Sequence, residues 1–253
     1  MDAKDTPHVA QHILGDSAPE NIESIMLLVG HDLRSPVSII VSALEVLISL
    51  YEDDPDMRST IDVLDGALHA AYRELNLIND LLDLRRLELG SYQLEMEKTD
   101  LVTLLRDVLE KESYAITSKK LKVETSLPES SPMNVKVDTK LVKRMLTAML
   151  DNALKFTTRD DTLRIIVQRE GNEIVTRFED TGRLIQSKFG DSILKHPPRW
   201  EERQAGTRTS VGMGMPFIYQ AALAQGGSFS ARSNAETLWT TFRLVFPAVD
   251  ETA

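Results

Sequence analysis

Residues 26–47 read MLLVGHDLRSPVSIIVSALEVL, and the spacing of their apolar letters decides the fold of the first third of the chain. Met26, Val29, Leu33, Ile40, Ala43 and Leu47 follow in alternating steps of three and four, with Pro36 filling the slot between Leu33 and Ile40. That repeat lays one narrow stripe along a helix from about Asn21 to Leu50, the pattern of a helix packed against another. An acidic turn, Glu52-Asp53-Asp54-Pro55, follows. Met57, Ile61, Leu64, Leu68, Ala71, Leu75, Ile78 and Leu82 then keep the alternation. Two long helices with narrow seams do not complete a core alone. The sequence therefore predicts an antiparallel helical hairpin whose second copy closes a dimeric four-helix bundle.

The remaining composition narrows the function classes. At 253 residues the chain has room for two cores. Its net charge of -10 is spread along the sequence and argues against a broad nucleic-acid footprint. With no cysteine, disulfides, thiolate metal sites and a cysteine nucleophile are excluded, which fits a cytoplasmic setting. Residues 1–20 lack apolar periodicity and read as a mobile tail rather than a signal peptide. His8 and His12 in it are one helical turn apart, with no further metal ligand nearby. The most apolar stretch, Val37 to Tyr51, is interrupted by Glu45 and reads as too short to span a bilayer. The expectation is a chain without a membrane span, taking its input through its short N-terminus or from a separate sensor protein.

After Gly90 the pattern changes. Leu101 to Lys119 reads as helix and Leu121 to Ser126 as strand, while Asp138 is placed to cap a helix running to about Phe156. Thr162–Gln168 and Glu173–Glu179 read as strands joined by a hairpin at Gly171-Asn172. Residues 182–211 carry no periodicity and read as a lid or binding loop. Met215 to Ala224 reads as helix, followed by strands near Ser228–Arg232 and Leu238–Phe246. The expected organisation is a tail over 1–20, a helical domain over 21–91 and an α/β sandwich, helices over a mixed sheet, over 92–253.

Placed on the heptad seam, His31 falls opposite the core, with Ser35 one turn later. A neutral imidazole is a competent nucleophile near pH 7. The adjacent carboxylate of Asp32 can accept one ring proton and set the tautomer, and Ser35 can position a water for hydrolysis of a phosphorylated ring. Pro36 costs a helix interior about 3 kcal/mol, which loosens the backbone beside the nucleophile. In the second half, Asn152 offers a side-chain oxygen suited to Mg²⁺, a hard cation that prefers oxygen ligands and phosphates. Lys155, three residues on, can reach a phosphate. Asp180 ends a strand before Thr181-Gly182, where a carboxylate can accept a hydrogen bond from an adenine amino group. Gly212 and Gly214 open a helix, where backbone N–H groups can approach a phosphate.

These residues, in this order, resemble the sensor histidine kinases of two-component signalling. His31 to Pro36 resembles the family's phosphoacceptor block and Asp151 to Thr157 its asparagine block. Asp180-Thr181-Gly182 and Gly212 to Met215 resemble its two glycine blocks. Residues 77–101, LINDLLDLRRLELGSYQLEMEKTDL, resemble its interdomain junction, and Leu238 to Pro247, with Thr241-Phe242, its closing strand. The resemblance implies a homodimeric phosphotransfer domain followed by a Bergerat-type ATP-binding domain. ATP would phosphorylate His31, and an aspartate of a response-regulator receiver domain would then accept the phosphoryl group. Asn152 would bind Mg²⁺, Lys155 a phosphate and Asp180 the adenine, with Gly182, Gly212, Gly214 and Thr241 lining the nucleotide. Three positions depart from the pattern: Ala148 and Leu184 stand where an asparagine and a glycine are usual, and Ser210 precedes the second glycine block. The alternative is a phosphotransferase or regulator-binding scaffold with a degenerate nucleotide domain.

Overall fold

The computed structural model describes residues 18–129, 131–185 and 214–250. The chain divides into two compact units, Met1–Arg85 and Arg86–Ala253.

The first unit is a hairpin of two long helices, α1 (Ala18–Tyr51) and α2 (Arg58–Glu88). The turn between them follows from its sequence. The Asp54 N–H donates to the Tyr51 carbonyl at 3.0 Å, and the Asp54 carboxylate accepts from the Asp56 N–H at 3.0 Å. Pro55 opens a single 3₁₀ turn, where its missing N–H costs nothing. The helices run antiparallel. Gly30 lies against Leu82, the Arg34 Nε donates to Asn79 Oδ1 at 2.8 Å, and the Tyr72 hydroxyl bonds the Glu45 carboxylate.

On α2 the stripe lies where the spacing predicts, with Ala71 and Leu82 buried and Ile61, Leu64, Leu68, Leu75 and Ile78 half-buried. On α1 the outcome differs. The expected seam residues are open, Leu33 at 50%, Ile40 at 52% and Leu47 at 39% exposure, whereas Gly30 and Val41 are buried and Arg34, Val37, Leu44 and Ile48 half-buried. Those six also follow a four-three alternation, so α1 carries two stripes. Only the second meets α2. The stripe that packs is the less apolar of the two, since it includes Gly30 and Arg34. A further correction concerns length: Asp32–Tyr51, with a mean hydropathy of 1.7, is long and apolar enough to cross a membrane, by length and composition alone.

α2 stops at Gly90, whose φ of +66° suits glycine. The Gly90 N–H reaches the Leu87 carbonyl and the Ser91 N–H the Arg86 carbonyl, closing the helix end. The second unit contains β1 (Met96–Asp100), α3 (Leu101–Lys111), α4 (Ser113–Lys119), β2 (Lys122–Ser126), β3 (Asn134–Asp138) and α5 (Thr139–Phe156). It continues with β4 (Thr162–Glu170), β5 (Glu173–Asp180), α6 (Gly214–Ala224), β6 (Ser228–Asn234) and β7 (Trp239–Pro247). Five strands form one sheet in the order β2-β4-β5-β7-β6, antiparallel except for the parallel β2–β4 pair. The expected single helix over 101–119 is broken at Glu112, which leaves helical geometry (ψ 9°). The antiparallel pair β1–β3 was not expected; MEKTD and NVKVD are short and polar, with little strand signal of their own.

Asp138 caps α5 by accepting the Leu141 N–H at 3.0 Å, as its position predicts. Leu141, Met145, Met149 and Leu150 of α5 then bury completely against Leu163, Ile165 and Phe178 of the sheet. Each such side chain contributes about 1.5–3 kcal/mol by leaving water. Strand alternation carries this inward face to the ends of the strands. Ile165 pairs with Phe178 and Phe178 with Phe242, and two residues further on Leu163 pairs with Asp180 and Asp180 with Thr240. A carboxylate therefore ends the row of core side chains.

Candidate nucleotide site

Asp180 is 1% exposed. Burial pushes its carboxyl up to about 6, partly opposed by the Gly182 N–H it accepts at 3.0 Å and reinforced by the nearby Asp161 charge. The turn that follows it is wedged against the end of α5. A methyl group on Gly182 would lie 2.4 Å from the Phe156 carbonyl oxygen, and the Arg183 N–H donates to that same oxygen at 2.9 Å. On the other side, the Thr181 N–H donates to the Thr162 carbonyl at 3.1 Å and the Thr162 N–H to Thr181 Oγ1 at 3.0 Å. Gly182 is there because only a residue without a side chain passes so close to backbone.

Asn152 lies on α5 one turn before Phe156. Its Nδ2 is buried and has no hydrogen-bond partner among the described residues. Such a group costs about 1–3 kcal/mol unless something else satisfies it. A Cβ on Gly214, at the start of α6, would stand 3.4 Å from that nitrogen and 3.8 Å from Oδ1, so the start of α6 lies directly against the amide. Lys155 is half-buried one turn further along, its Nζ 5.3 Å from the centre of the Phe156 ring, and burial lowers its ammonium below the usual lysine value. A half-buried cation and an unpartnered amide on one helix suit a polyphosphate with its metal ion. Among the described residues no group of three or more His, Asp or Glu side chains could hold a metal ion. A single amide oxygen on a substrate-held Mg²⁺ is the arrangement the donor set fits.

The second unit thus brings together Asn152, Lys155, Asp180, Gly182 and Gly214. Gly212, Ser210 and most of the expected lid lie outside the described residues, as does the side chain of His31; its backbone lies in α1, one residue after Gly30. Asp32 and Ser35 are exposed on the same helix. Thr241 does not join the group. It pairs with Glu179 on the opposite face of the sheet, and the residue in register with Asp180 is Thr240, 2% exposed and hydrogen-bonded through its hydroxyl to Ser233 at 2.8 Å. Strand alternation from Phe242 places Thr240, two residues before it, on the face of Asp180, whereas the expected Thr241 is adjacent to Phe242 and points the other way. Ala148 packs against the core, and the half-buried Leu184 is followed by Ile185, whose N–H donates to Ser233 Oγ at 2.8 Å.

Residues 137–250 match the family described as histidine kinase-, DNA gyrase B- and HSP90-like ATPases. The chain is 24% identical over 233 residues to the sensor protein VanSC of Enterococcus gallinarum, covering 91% of this chain and 63% of that protein. Among solved structures, full-length ShkA in complex with AMPPNP has a similar fold (TM-score 0.69, 19% identity), covering 91% of this chain and 47% of that one. So does the Acinetobacter baumannii histidine kinase AdeS (TM-score 0.60, 21% identity), over 87% of this chain and 98% of that one. The chain spans less than two thirds of the length of VanSC.

Proposed function

We propose that this chain, a relative of two-component sensor histidine kinases whose residues 137–250 form a histidine kinase-, DNA gyrase B- and HSP90-like ATPase domain, phosphorylates His31 from ATP and passes the phosphoryl group to a response-regulator aspartate. One observation carries the reading. Among the described residues the buried Asn152 Nδ2 has no hydrogen-bond partner, and it lies beside Gly214 at the start of α6; such a donor suits a phosphate or metal-bound water oxygen.

In this reading the buried Asp180 carboxylate accepts a hydrogen bond from the adenine amino group, and Lys155 meets a phosphate. Asn152 holds Mg²⁺, which when bound neutralises phosphate charge. An imidazole nitrogen of His31 forms a bond to the γ-phosphorus as the bond from that phosphorus to the ADP oxygen breaks. Asp32 accepts a hydrogen bond from the other ring nitrogen, and Ser35 positions water for the reverse, hydrolytic release. The open stripe of Leu33, Ile40 and Leu47 on α1 is the face on which a second copy completes a four-helix bundle. The partner is a receiver domain, and the setting is the cytoplasm.

The test is incubation of the purified protein with Mg²⁺ and radiolabelled ATP. Acid-labile label appears on wild type and is lost in His31→Gln. A wild-type protein that binds no nucleotide yet accepts phosphate from a phosphorylated regulator overturns the kinase reading in favour of a phosphotransferase.

A further inference from the structure

Asp161 lies outside every motif named above, yet its carboxylate joins the two loops that frame the nucleotide site. One oxygen accepts the Thr158 N–H at 2.7 Å and the Thr158 hydroxyl at 3.0 Å, fixing the loop that leaves α5 just after Phe156. The other accepts the Thr181 hydroxyl at 3.2 Å, and that hydroxyl in turn accepts the Thr162 N–H. The backbone of Asp161 is pinned as well, its N–H to the Thr158 carbonyl and its carbonyl to the Lys122 N–H at 3.0 Å. The turn carrying Asp180 is therefore held from two sides, by the Phe156 carbonyl and by Asp161. We propose that Asp161 is a positioning residue for the nucleotide site, locking the Asp180-Thr181-Gly182 turn to the loop that leaves α5.

The charge of Asp161 bears on Asp180 separately from that lock. Charged residues on the elements around Asp180 include Asp151 and Lys155 on α5, the neighbouring pair Arg159–Asp160 and Asp161 before β4, Glu179 on the opposite face of β5, and Arg183 after the turn. Arg164 and Arg177, also on that opposite face, ion-pair with Glu179. Among the described residues, the Asp161 charge favours the protonated form of the Asp180 carboxyl, adding to the larger effect of burial. Removing that charge lets Asp180 ionise at lower pH. Removing only the hydroxyl of Thr181 loosens the turn and leaves the charge in place.

The inference rests on the nucleotide reading, and the experiment tells the two apart. Binding of a fluorescent ATP analogue with Mg²⁺ is titrated between pH 5 and pH 8 for wild type, Asp161→Asn and Thr181→Val, with circular dichroism to verify folding. Wild type must bind; if it does not, the nucleotide reading itself fails. Asp161→Asn is expected to bind about tenfold more weakly at pH 8, the effect of losing hydrogen bonds to a charged group, with the acid limb of its affinity profile moved to lower pH. Thr181→Val is expected to weaken binding with the limb unmoved, and it carries the test if Asp161→Asn does not fold. Wild-type affinity in both variants, or weakening in Asp161→Asn with an unmoved limb, overturns the assignment.

Discussion

Gly182 and Phe156 approach so closely that no side chain fits between them: a Cβ on the glycine would lie 2.4 Å from the phenylalanine carbonyl oxygen. That oxygen also receives the Arg183 N–H, so the contact is a backbone seam between the end of α5 and the end of β5. Gly30 and Leu82 are comparably close, 2.5 Å from a built Cβ to Leu82 Cδ2, but there the obstruction is the tip of a side chain that can turn away.

The two glycines should therefore respond differently to alanine. Gly182→Ala must displace backbone, and a destabilisation of about 1–3 kcal/mol with loss of nucleotide binding is expected. Gly30→Ala gains up to about 1 kcal/mol of helix propensity against a repacked Leu82, and its net change should be small. Thermal melts and a nucleotide titration on both variants check this. A Gly182→Ala protein that binds like wild type would refute the seam.

Asn152→Ala should separate function from stability. The buried Nδ2 has no partner among the described residues, so deleting it leaves the folded state as stable or more stable by about 1 kcal/mol. Mg²⁺-dependent nucleotide binding should be lost in the same protein. A lowered melting temperature would mean that the amide is structural.

Asp180 gives stability a pH signature. Its folded value, raised to about 6 by burial, lies above the ordinary carboxyl value. Below about pH 4 folded and unfolded chains are both protonated. Between about 4 and 6 the folded chain keeps a proton that the unfolded chain has released, so stability falls as pH rises through that window, by about 2–3 kcal/mol in all. Asp180→Asn should melt higher than wild type at pH 7 and show no such slope. Nucleotide affinity, which needs the ionised carboxylate, should rise through the same window in wild type.

The two stripes of α1 should also part company. Ile40→Asp and Leu47→Asp place charge on the open face; the helices should remain and the dimer dissociate, as light scattering after gel filtration would show. Val41→Asp buries an unpaired charge against α2 and should cost about 3 kcal/mol or more, unfolding the hairpin itself. A dimer that survives Ile40→Asp/Leu47→Asp would move the interface elsewhere.

Much of this was legible in residue spacing. The stripe on α2, the Asp138 cap of α5, the hairpin at Gly171-Asn172 and the helix after Gly214 follow from local rules that need no knowledge of the rest of the chain. Two departures share one cause. Thr241 was chosen over Thr240 because facing is set by strand register, and the α1 seam was misplaced because Gly30 and Arg34 look unlike core residues until Leu82 and Asn79 stand opposite. Asp161 carries no motif, and its importance arises only when Thr158 and Thr181 close around it.

The order of residues by itself determined the elements and the chemical types present: imidazole, amide, ammonium, carboxylate and the glycines between them. Periodicity, capping and turn propensity act within a few residues of one another, so they can be read along a line. Tertiary structure decided which of two stripes packs, which threonine stands beside Asp180, and that Asn152 Nδ2 is left without a partner among the described residues. Those outcomes depend on burial and on close approach between segments far apart in the chain, and neither exists until the sheet and its helices have closed on each other.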